Sequence, residues 1–349
     1  MSAAPPFLDP VAHLRPFAAV AVGLGLAVAL ACAPPAKRPQ LPPSASPSGS
    51  AIGVRATPVP LDPGDRTKDR AGDFVYAGGL DLTSPDTDRL HGLSDLKIDA
   101  NGWLTAVGDQ GDLFRARLVL DQDGRLADLA DARLEPLGGP DGRPLSGKAK
   151  GDAEGLAIWP NGDRLVSFER DHRIWLYLAG GGAPRPVAMP RVEMPENGGM
   201  EGLALAPKQG ADAYWVGIER GDVFLCRLAQ ECQPVPGLPR PEPGWRLSAL
   251  AETPAGQLVL LHHTFTVLGG SRIHLWLIEP PQAETAPQVV AELALDPPQT
   301  VDNFEGVAAV DRRGGGLRLY LLADDNFQSL ERTLLLAFDW QAAAGKSAG

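Results

Sequence analysis

Basic residues are scarce in this sequence of 349 residues, which has 32 lysines and arginines against 43 aspartates and glutamates. Nucleic-acid-binding proteins need a basic face, because lysines and arginines must displace counterions from phosphates. We therefore expect no nucleic acid among the partners of this protein. A Walker loop, a dinucleotide fingerprint, an HExxH helix and a G-x-S-x-G nucleophile elbow are also absent, which excludes the enzyme classes that depend on those motifs.

Long apolar runs are equally few, and the one at residues 17–33 (FAAVAVGLGLAVALACA) is short for a membrane span. Its length suits the apolar core of a signal peptide. Ala29-Leu30-Ala31 matches the small-x-small pattern of signal-peptidase sites, and Cys32 follows where a bacterial lipoprotein carries its lipid. We predict a signal peptide or lipoprotein signal over residues 1–32 and a location in the periplasm or on the outer membrane. Cleaved, lipidated and uncleaved forms remain open, and a lipid on Cys32 would be the sole membrane contact.

Cysteine is rare, and beyond Cys32 the chain has only Cys226 and Cys232, which flank the segment RLAQE. In an oxidising compartment they could form a disulfide across a hairpin loop. The alternative is two free buried thiols. Neither cysteine has a neighbouring histidine that would activate it, so we expect a structural role in both cases.

The domain organisation follows from composition. Residues 33–71 are rich in proline, serine and alanine and lack apolar periodicity, which predicts a disordered tether. We predict a folded domain over residues 72–341 and a disordered tail over residues 342–349. The 40 glycines and 34 prolines of the chain favour many short strands joined by turns over long helices.

Five related segments recur along this domain. Each has a short apolar strand, a glycine-bearing turn, a second alternating strand with an acidic or polar pair at its end, and a third strand. Their marker residues are Gly92, Gly155, Gly202, Ala249 and Gly306, spaced by 63, 47, 47 and 57 residues. Repeats of this length with three or four strands are typical of a β-propeller. A solenoid would have shorter units, and a sandwich would not repeat its motif in register.

We therefore predict an all-β fold, a β-propeller with five or six blades. The 63-residue interval between the first two repeats leaves room for a sixth, degenerate blade. The segment DFVYAGGLDL, at residues 73–82, precedes the first repeat and has no partner there. We predict that it pairs with the last blade, which would close the ring and remove both exposed sheet edges.

Acidic residues recur at equivalent points of the repeats, where first strands begin and second strands end. In a propeller these points meet at one mouth of the central channel. Carboxylates gathered there repel one another and need a cation or raised pKa values, and Ca²⁺ favours oxygen ligands. We predict Ca²⁺ bound by a subset of Asp109, Glu154, Glu169, Glu201, Glu219, Glu305 and Asp324. Alternatively, the glutamates are structural and accept N–H bonds from the next blade; repeats one and four carry Ser94 and Ser248 near that position.

Histidines and basic residues flank the same strand ends. His262 and His263 occupy the acidic position of repeat four, and a histidine beside a metal is a candidate general base. Arg170 and Arg220 directly follow two of the acidic strand ends, and Lys148 precedes repeat two. These residues are either solvated loop charges or a clamp for a phosphate or carboxylate of a substrate.

The motifs HGLSDL, DAEGLA, SFERDHRIWLY, GGMEGLAL, NFEGVAAV with LLADDN, and TLLLAF resemble the bacterial esterase-like, phytase-like domain family from about Phe74 to Trp340. The resemblance implies a propeller with a calcium-binding mouth and hydrolysis of phosphoric or carboxylic esters. We therefore expect a monomeric, metal-dependent ester or phosphoester hydrolase of the cell envelope that acts on a small molecule. The alternatives are a non-catalytic propeller that binds a ligand or protein, and a lactonase.

Overall fold

Antiparallel strands form almost all of the regular structure of this protein. The computed structural model describes residues 49–145, 147–279, 286–328 and 330–342. Within these residues there are 23 strands and one single-turn helix, α1 (Lys148–Gly151). No helix among them has the length and apolar character needed to cross a bilayer. The predicted signal segment with Cys32 and the end of the predicted tail lie outside the described residues.

The strands form five sheets that are the blades of a propeller. From the inside outward, blade 1 contains β5 (Leu93–Ile98), β6 (Trp103–Gly108), β7 (Asp112–Leu120) and β8 (Leu126–Pro136). Blade 2 contains β9 (Ala153–Ile158), β10 (Arg164–Phe168), β11 (Arg173–Tyr177) and β12 (Arg185–Pro186). Blade 3 contains β13 (Gly202–Leu205), β14 (Ala213–Gly217), β15 (Val223–Arg227) and β16 (Gln230–Pro234).

The last two blades complete the ring. Blade 4 contains β17 (Arg246–Glu252), β18 (Leu258–Thr266), β19 (Gly270–Glu279) and β20 (Gln288–Leu295). Blade 5 contains β21 (Asn303–Asp311), β22 (Leu317–Asp324), β23 (Leu334–Trp340) and the early strand β4 (Phe74–Thr83). Each innermost strand contacts those of the two neighbouring blades, including β21 with β5. The prediction of a propeller is confirmed, with five blades.

The ring closes through β4, which pairs antiparallel with β23, Leu80 opposite Leu335 and Gly79 opposite Leu336. This pairing confirms the predicted closure. The 63-residue interval holds no sixth blade among its described residues. It contains β8, the fourth strand of blade 1, and then a loop that is pinned by a bridge between Gly138 and Pro144 and leads to α1.

Residues 49–71, which the sequence assigned to the tether, add three short strands at the outer sheet edges. β1 (Ser50–Ala51) pairs with β8, whereas β2 (Arg55–Pro58) and β3 (Arg70–Ala71) pair with β4. Such edge strands are held by backbone hydrogen bonds and do not need alternating apolar residues. The sequence therefore carried no periodic pattern from which they could have been predicted.

The apolar core is divided among the blade interfaces. Each of its five clusters contains residues of two neighbouring blades, as with Leu165 of blade 2 and Val216 of blade 3, or Phe168 of blade 2 and Val107 of blade 1. This arrangement follows from strand alternation, because each sheet turns its two faces toward two different neighbours. In blade 3, Cys226 and Cys232 form a disulfide between β15 and β16, one of the two predicted alternatives.

Candidate functional site

The five blades enclose a cavity of about 260 Å³ at one mouth of the channel. It is lined by all seven carboxylates that the sequence predicted to meet there: Asp109, Glu154, Glu169, Glu201, Glu219, Glu305 and Asp324. We call it the acidic cavity. Among the described lining residues, only Lys148 and Arg246 carry a fixed positive charge.

The motifs DAEGLA, GGMEGLAL and NFEGVAAV share a Glu-Gly pair, which we call the Glu-Gly motif: Glu154-Gly155, Glu201-Gly202 and Glu305-Gly306. Its glutamates line the cavity. Glu154 and Glu305 are each the extra residue of a β-bulge in the innermost strand of their blade, and a bulge can re-aim a side chain. Ser94 and Ser248 are the extra residues of equivalent bulges in β5 and β17, and Glu201 directly precedes β13. All five residues line the acidic cavity. Every blade therefore presents the same position to the cavity, with glutamate in three blades and serine in two.

The glycine of the motif lets the innermost strands approach each other. A Cβ on Gly155 would lie 2.7 Å from Cβ of Leu203, and one on Gly202 would lie 2.8 Å from the Leu250 side chain. Real Cβ atoms do not tolerate such contacts. The motif is thus a packing residue beside a cavity residue, which explains why it marks both the fold and the site.

Burial and mutual repulsion raise the pKa values of the cavity carboxylates. The pKa of Glu201 rises to about 8 and that of Glu169 to about 7, in both cases chiefly through burial and then through neighbouring carboxylates. The pKa of Asp324 also rises to about 7. Those of Glu154 and Glu305 lie well above their ordinary value of 4.5 for the same reasons. Without a cation, these groups cannot all be ionised at neutral pH.

Two basic side chains offset part of this charge. Lys148 Nζ donates to Asp109 Oδ2 at 2.8 Å, and Arg246 Nη1 donates to Glu219 Oε1 at 2.7 Å. Both side chains are more than half exposed, so both can also meet a ligand that enters from solvent. These two cations would offset only part of the charge if all seven carboxylates were ionised.

Three carboxylates are arranged as a metal site would require. One oxygen each from Asp152, Glu154 and Glu169 lie within 4.8 Å of one another. Ca²⁺ binds oxygens at about 2.3–2.6 Å, so oxygens at these separations can share one ion. Asp152 is fully buried, and its Oδ2 accepts from Arg170 Nε at 2.6 Å, whereas its Oδ1 has no hydrogen-bond partner. This oxygen faces the Lys148 ammonium at 3.6 Å but accepts no hydrogen bond, so a buried carboxylate oxygen beside two more carboxylates remains for a hard cation.

The alternative role of the glutamates, as acceptors of N–H bonds from the next blade, has little support among the described residues. Glu201 Oε1 accepts from Gly199 N, and Glu305 Oε1 accepts from the Asn303 amide, so both bonds stay within the local segment. The bonds between blades are made elsewhere. Asp95 Oδ2 accepts from Leu156 N of the next blade at 2.8 Å.

The two predicted histidines have different positions. His263 lines the acidic cavity, and its Nε2 is buried without a hydrogen-bond partner. His262 does not line it and packs edge-on against Trp276, with ring centroids 4.8 Å apart. Burial lowers the pKa of both histidines to about 4. His263 alone therefore lies where a general base would act.

The two predicted substrate arginines also differ. Arg170 does not line the cavity, but its guanidinium contacts Asp152 and donates to the Asn197 side chain at 3.1 Å. Arg220 pairs with Asp222 and donates to the carbonyl of Glu193. Arg170 therefore supports the carboxylates from outside the cavity, whereas Arg220 is committed to its own loop.

Sequence reasoning missed Asp152, which belongs to the carboxylate trio, and Arg246, which lines the cavity. Asp152 stands two positions before Glu154 in DAEGLA, but the other Glu-Gly repeats have no acid there, so the repeat pattern does not single it out. Arg246 lies opposite His263 in the β17–β18 pairing, which a cross-strand alignment of repeat four would have suggested.

Comparison with known proteins supports the same family. A family model for phytase-like proteins, described as esterase-like activity of phytase, matches residues 88–327. No curated protein sequence matches the chain.

Solved structures resemble it only distantly. Virginiamycin B lyase from Staphylococcus aureus is 11% identical over 83% of this chain and 100% of that chain, with a TM-score of 0.41. Aldose sugar dehydrogenase from Streptomyces coelicolor is 16% identical over 82% and 99%, with a TM-score of 0.41. A gluconolactonase from Xanthomonas campestris is 12% identical over 84% and 98%, with a TM-score of 0.38. These low values carry no argument about activity.

Proposed function

Because this chain belongs to the phytase-like family, we propose that it is a metal-dependent hydrolase of carboxylic or phosphoric esters that acts in the acidic cavity. The observation that carries the proposal is the convergence of seven carboxylates from all blades but the fourth on one cavity, with pKa values raised by burial and repulsion. Holding these charges together costs stability, and a bound divalent cation removes that cost.

Asp152, Glu154 and Glu169 would hold the metal, for which Ca²⁺ is the best fit because all the donors are carboxylate oxygens. When bound, Ca²⁺ would supply Lewis acidity toward the ester oxygen and toward water. Arg170 holds Asp152 Oδ2 and leaves Oδ1 available as a ligand atom. Glu201 and Glu305 lie near Glu154 and raise its pKa, and a bound cation would favour the ionised forms of all three.

The remaining cavity side chains would bind the substrate and move a proton. Lys148 and Arg246 are the cavity's exposed positive groups, and they suit a phosphate or carboxylate of the substrate. His263 is neutral at pH 7, because burial lowers its pKa to about 4. Its Nε2 is therefore able to accept a proton from an attacking water.

We also propose that the protein works outside the cytoplasm. The disulfide between Cys226 and Cys232 supports this location, because disulfides persist in oxidising compartments. The signal-like segment ahead of Cys32 points the same way. Lipid attachment at Cys32 remains part of this proposal.

The function is tested with the full chain, freed of metal by EDTA and then supplied with Ca²⁺ or Mg²⁺. We expect p-nitrophenyl acetate or p-nitrophenyl phosphate to be hydrolysed with Ca²⁺ and the rate to fall at least tenfold with EDTA. A lactone belongs in the same panel, since it is a cyclic ester. Turnover that survives EDTA would refute the metal mechanism. A folded protein that binds Ca²⁺ but hydrolyses none of these compounds would instead be a binding propeller.

The raised pKa values predict how stability depends on pH when metal is absent. Glu201, Glu169 and Asp324 have folded-state pKa values of about 8, 7 and 7, against ordinary values of 4.5, 4.5 and 3.8. The folded state therefore holds protons that the unfolded chain has already released, and stability falls as pH rises toward 8. The two buried histidines act in the opposite direction, because the unfolded chain still releases histidine protons just above pH 6.5. Their effect is the smaller one, since half of these protons are already lost at pH 6.5.

We expect the melting temperature in EDTA to fall by several degrees between pH 6.5 and pH 8, measured by circular dichroism. Ca²⁺ at a hundred times its Kd should add about 2.7 kcal/mol of stability and flatten this dependence. A melting temperature that stays constant or rises over this range in EDTA would contradict the raised pKa values.

A further inference from the structure

A second cavity, of about 660 Å³, lies beside the acidic cavity. Its apolar wall consists of Pro136, Pro144, Leu145 and Phe327. We call it the apolar cavity. Asp109 and Lys148 line both cavities, so a molecule that contacts Lys148 has access to both. A volume between about 300 and 1,000 Å³ with mainly apolar walls is usual for small-molecule sites.

Phe327 lies at this cavity in an energetically unfavourable backbone conformation. Its side chain is 45% exposed, and its backbone has a φ of 54°, a left-handed conformation that is rare for aromatic residues. Phe327 N donates to Asp325 Oδ1 at 3.2 Å, and Asp325 also accepts from Thr333 Oγ1 at 2.9 Å and contacts His91. An exposed aromatic ring in a strained turn gains little from folding, but it gains if an apolar ligand covers it.

The turn that contains Phe327 begins at a residue of the acidic cavity. Asp324, which lines that cavity, is the last residue of β22 and is followed by Asp325 and Asn326. Asp324 Oδ1 accepts from Asn326 N at 2.8 Å. The carboxylate of one cavity and the aromatic ring of the other are therefore placed by the same short turn.

We infer that the apolar cavity binds the apolar group of the substrate while its ester oxygens lie in the acidic cavity. The substrate class is then an amphiphilic ester with an acyl chain of several carbons. Lys148 stands between the two parts and would meet the negative charge that develops on the ester oxygens during hydrolysis. This inference rests on the proposed function, which it narrows from esters in general to esters with an extended apolar group.

The test compares p-nitrophenyl acetate with p-nitrophenyl octanoate, using the full chain with Ca²⁺. Each methylene that is fully buried contributes a factor of about 4, so we expect kcat/KM to be at least tenfold higher for the octanoate. Phe327→Asp should lower this octanoate-to-acetate ratio about tenfold. Asp tolerates the left-handed conformation, so this variant should fold.

Leu330→Asp is the matched control, because Leu330 lies in the same loop with its side chain 93% exposed and does not line the cavity. It should leave the octanoate-to-acetate ratio unchanged. An equal ratio in the wild type and Phe327→Asp, or no preference for octanoate in the wild type, would overturn the inference.

A binding measurement separates this inference from the proposed function. Calorimetry with octylphosphonate and methylphosphonate, both in the presence of Ca²⁺, needs no turnover. Tighter binding of octylphosphonate that is lost in Phe327→Asp supports the apolar cavity even if no ester is hydrolysed, in which case only the proposed hydrolysis fails. Equal affinity for both phosphonates overturns the apolar cavity whatever the hydrolysis assays give.

Discussion

Glu154→Gln should weaken Ca²⁺ binding at least tenfold and lower ester hydrolysis by about a hundredfold, while the propeller stays folded. Loss of residues that only support metal ligands already costs about 10–100-fold, and Glu154 contributes an oxygen to the carboxylate trio itself. Glutamine has nearly the same shape, so the bulge of β9 and its packing are retained. The measurements are calorimetric Ca²⁺ titration and the p-nitrophenyl assays.

The same variant should change stability in a direction that distinguishes a metal ligand from a packing residue. Burial and the neighbouring Glu201 and Glu305 disfavour the ionised form of Glu154, so an uncharged side chain relieves repulsion. We therefore expect Glu154→Gln to melt at or above the wild-type temperature in EDTA at pH 8, and to gain less from added Ca²⁺.

Glu242→Gln is the control for this experiment, because it removes the same charge from an exposed loop. It should match the wild type in calcium affinity, hydrolysis and melting temperature. Wild-type calcium affinity in Glu154→Gln would exclude Glu154 as a ligand. A large drop of its melting temperature in EDTA would instead assign Glu154 a structural role.

Asp95→Ala should destabilise the protein by about 3–5 kcal/mol, the usual loss when one partner of a buried ion pair is removed. Asp95 is fully buried and pairs with Lys97 Nζ at 2.7 Å. Its Oδ2 also accepts from Leu156 N in blade 2, and Lys97 Nζ donates to the carbonyl of Val307 in blade 5 at 3.5 Å. The pair thus connects three blades, and its loss leaves a largely buried ammonium and a buried N–H without their carboxylate.

Chemical denaturation with urea measures this loss, and the melting temperature should fall by roughly 5–15 °C. Asp296→Ala is the matched control, because it breaks the ion pair of Arg272 and Asp296, whose side chains are 48% and 54% exposed. Exposed pairs contribute about 1 kcal/mol or less. If Asp95→Ala were as mild as Asp296→Ala, the buried pair would not contribute to holding the blades together.

Sequence patterns alone did not predict which of the two histidines faces the cavity or how many blades the ring has. Alternation along β18 predicts that only one of His262 and His263 faces the cavity, but a shift of one residue exchanges the two faces. The bulge at Ser248 sets that register. Likewise, the 63-residue interval has enough turns and apolar residues for another blade. Only the contacts between neighbouring innermost strands show that the ring has five blades.

The sequence by itself determined the propeller, its closure by the early strand and the convergence of seven carboxylates, because repeated blades place equivalent residues at equivalent points around one axis. The Glu-Gly motif carried both signals, since its glycine permits close packing of the innermost strands and its glutamate reaches the cavity. Only the tertiary structure decided that Asp152 joins Glu154 and Glu169, that Arg220 turns away, and that an apolar cavity shares Lys148 with the acidic one. These features depend on side-chain direction and on contacts between distant loops, which no repeat encodes.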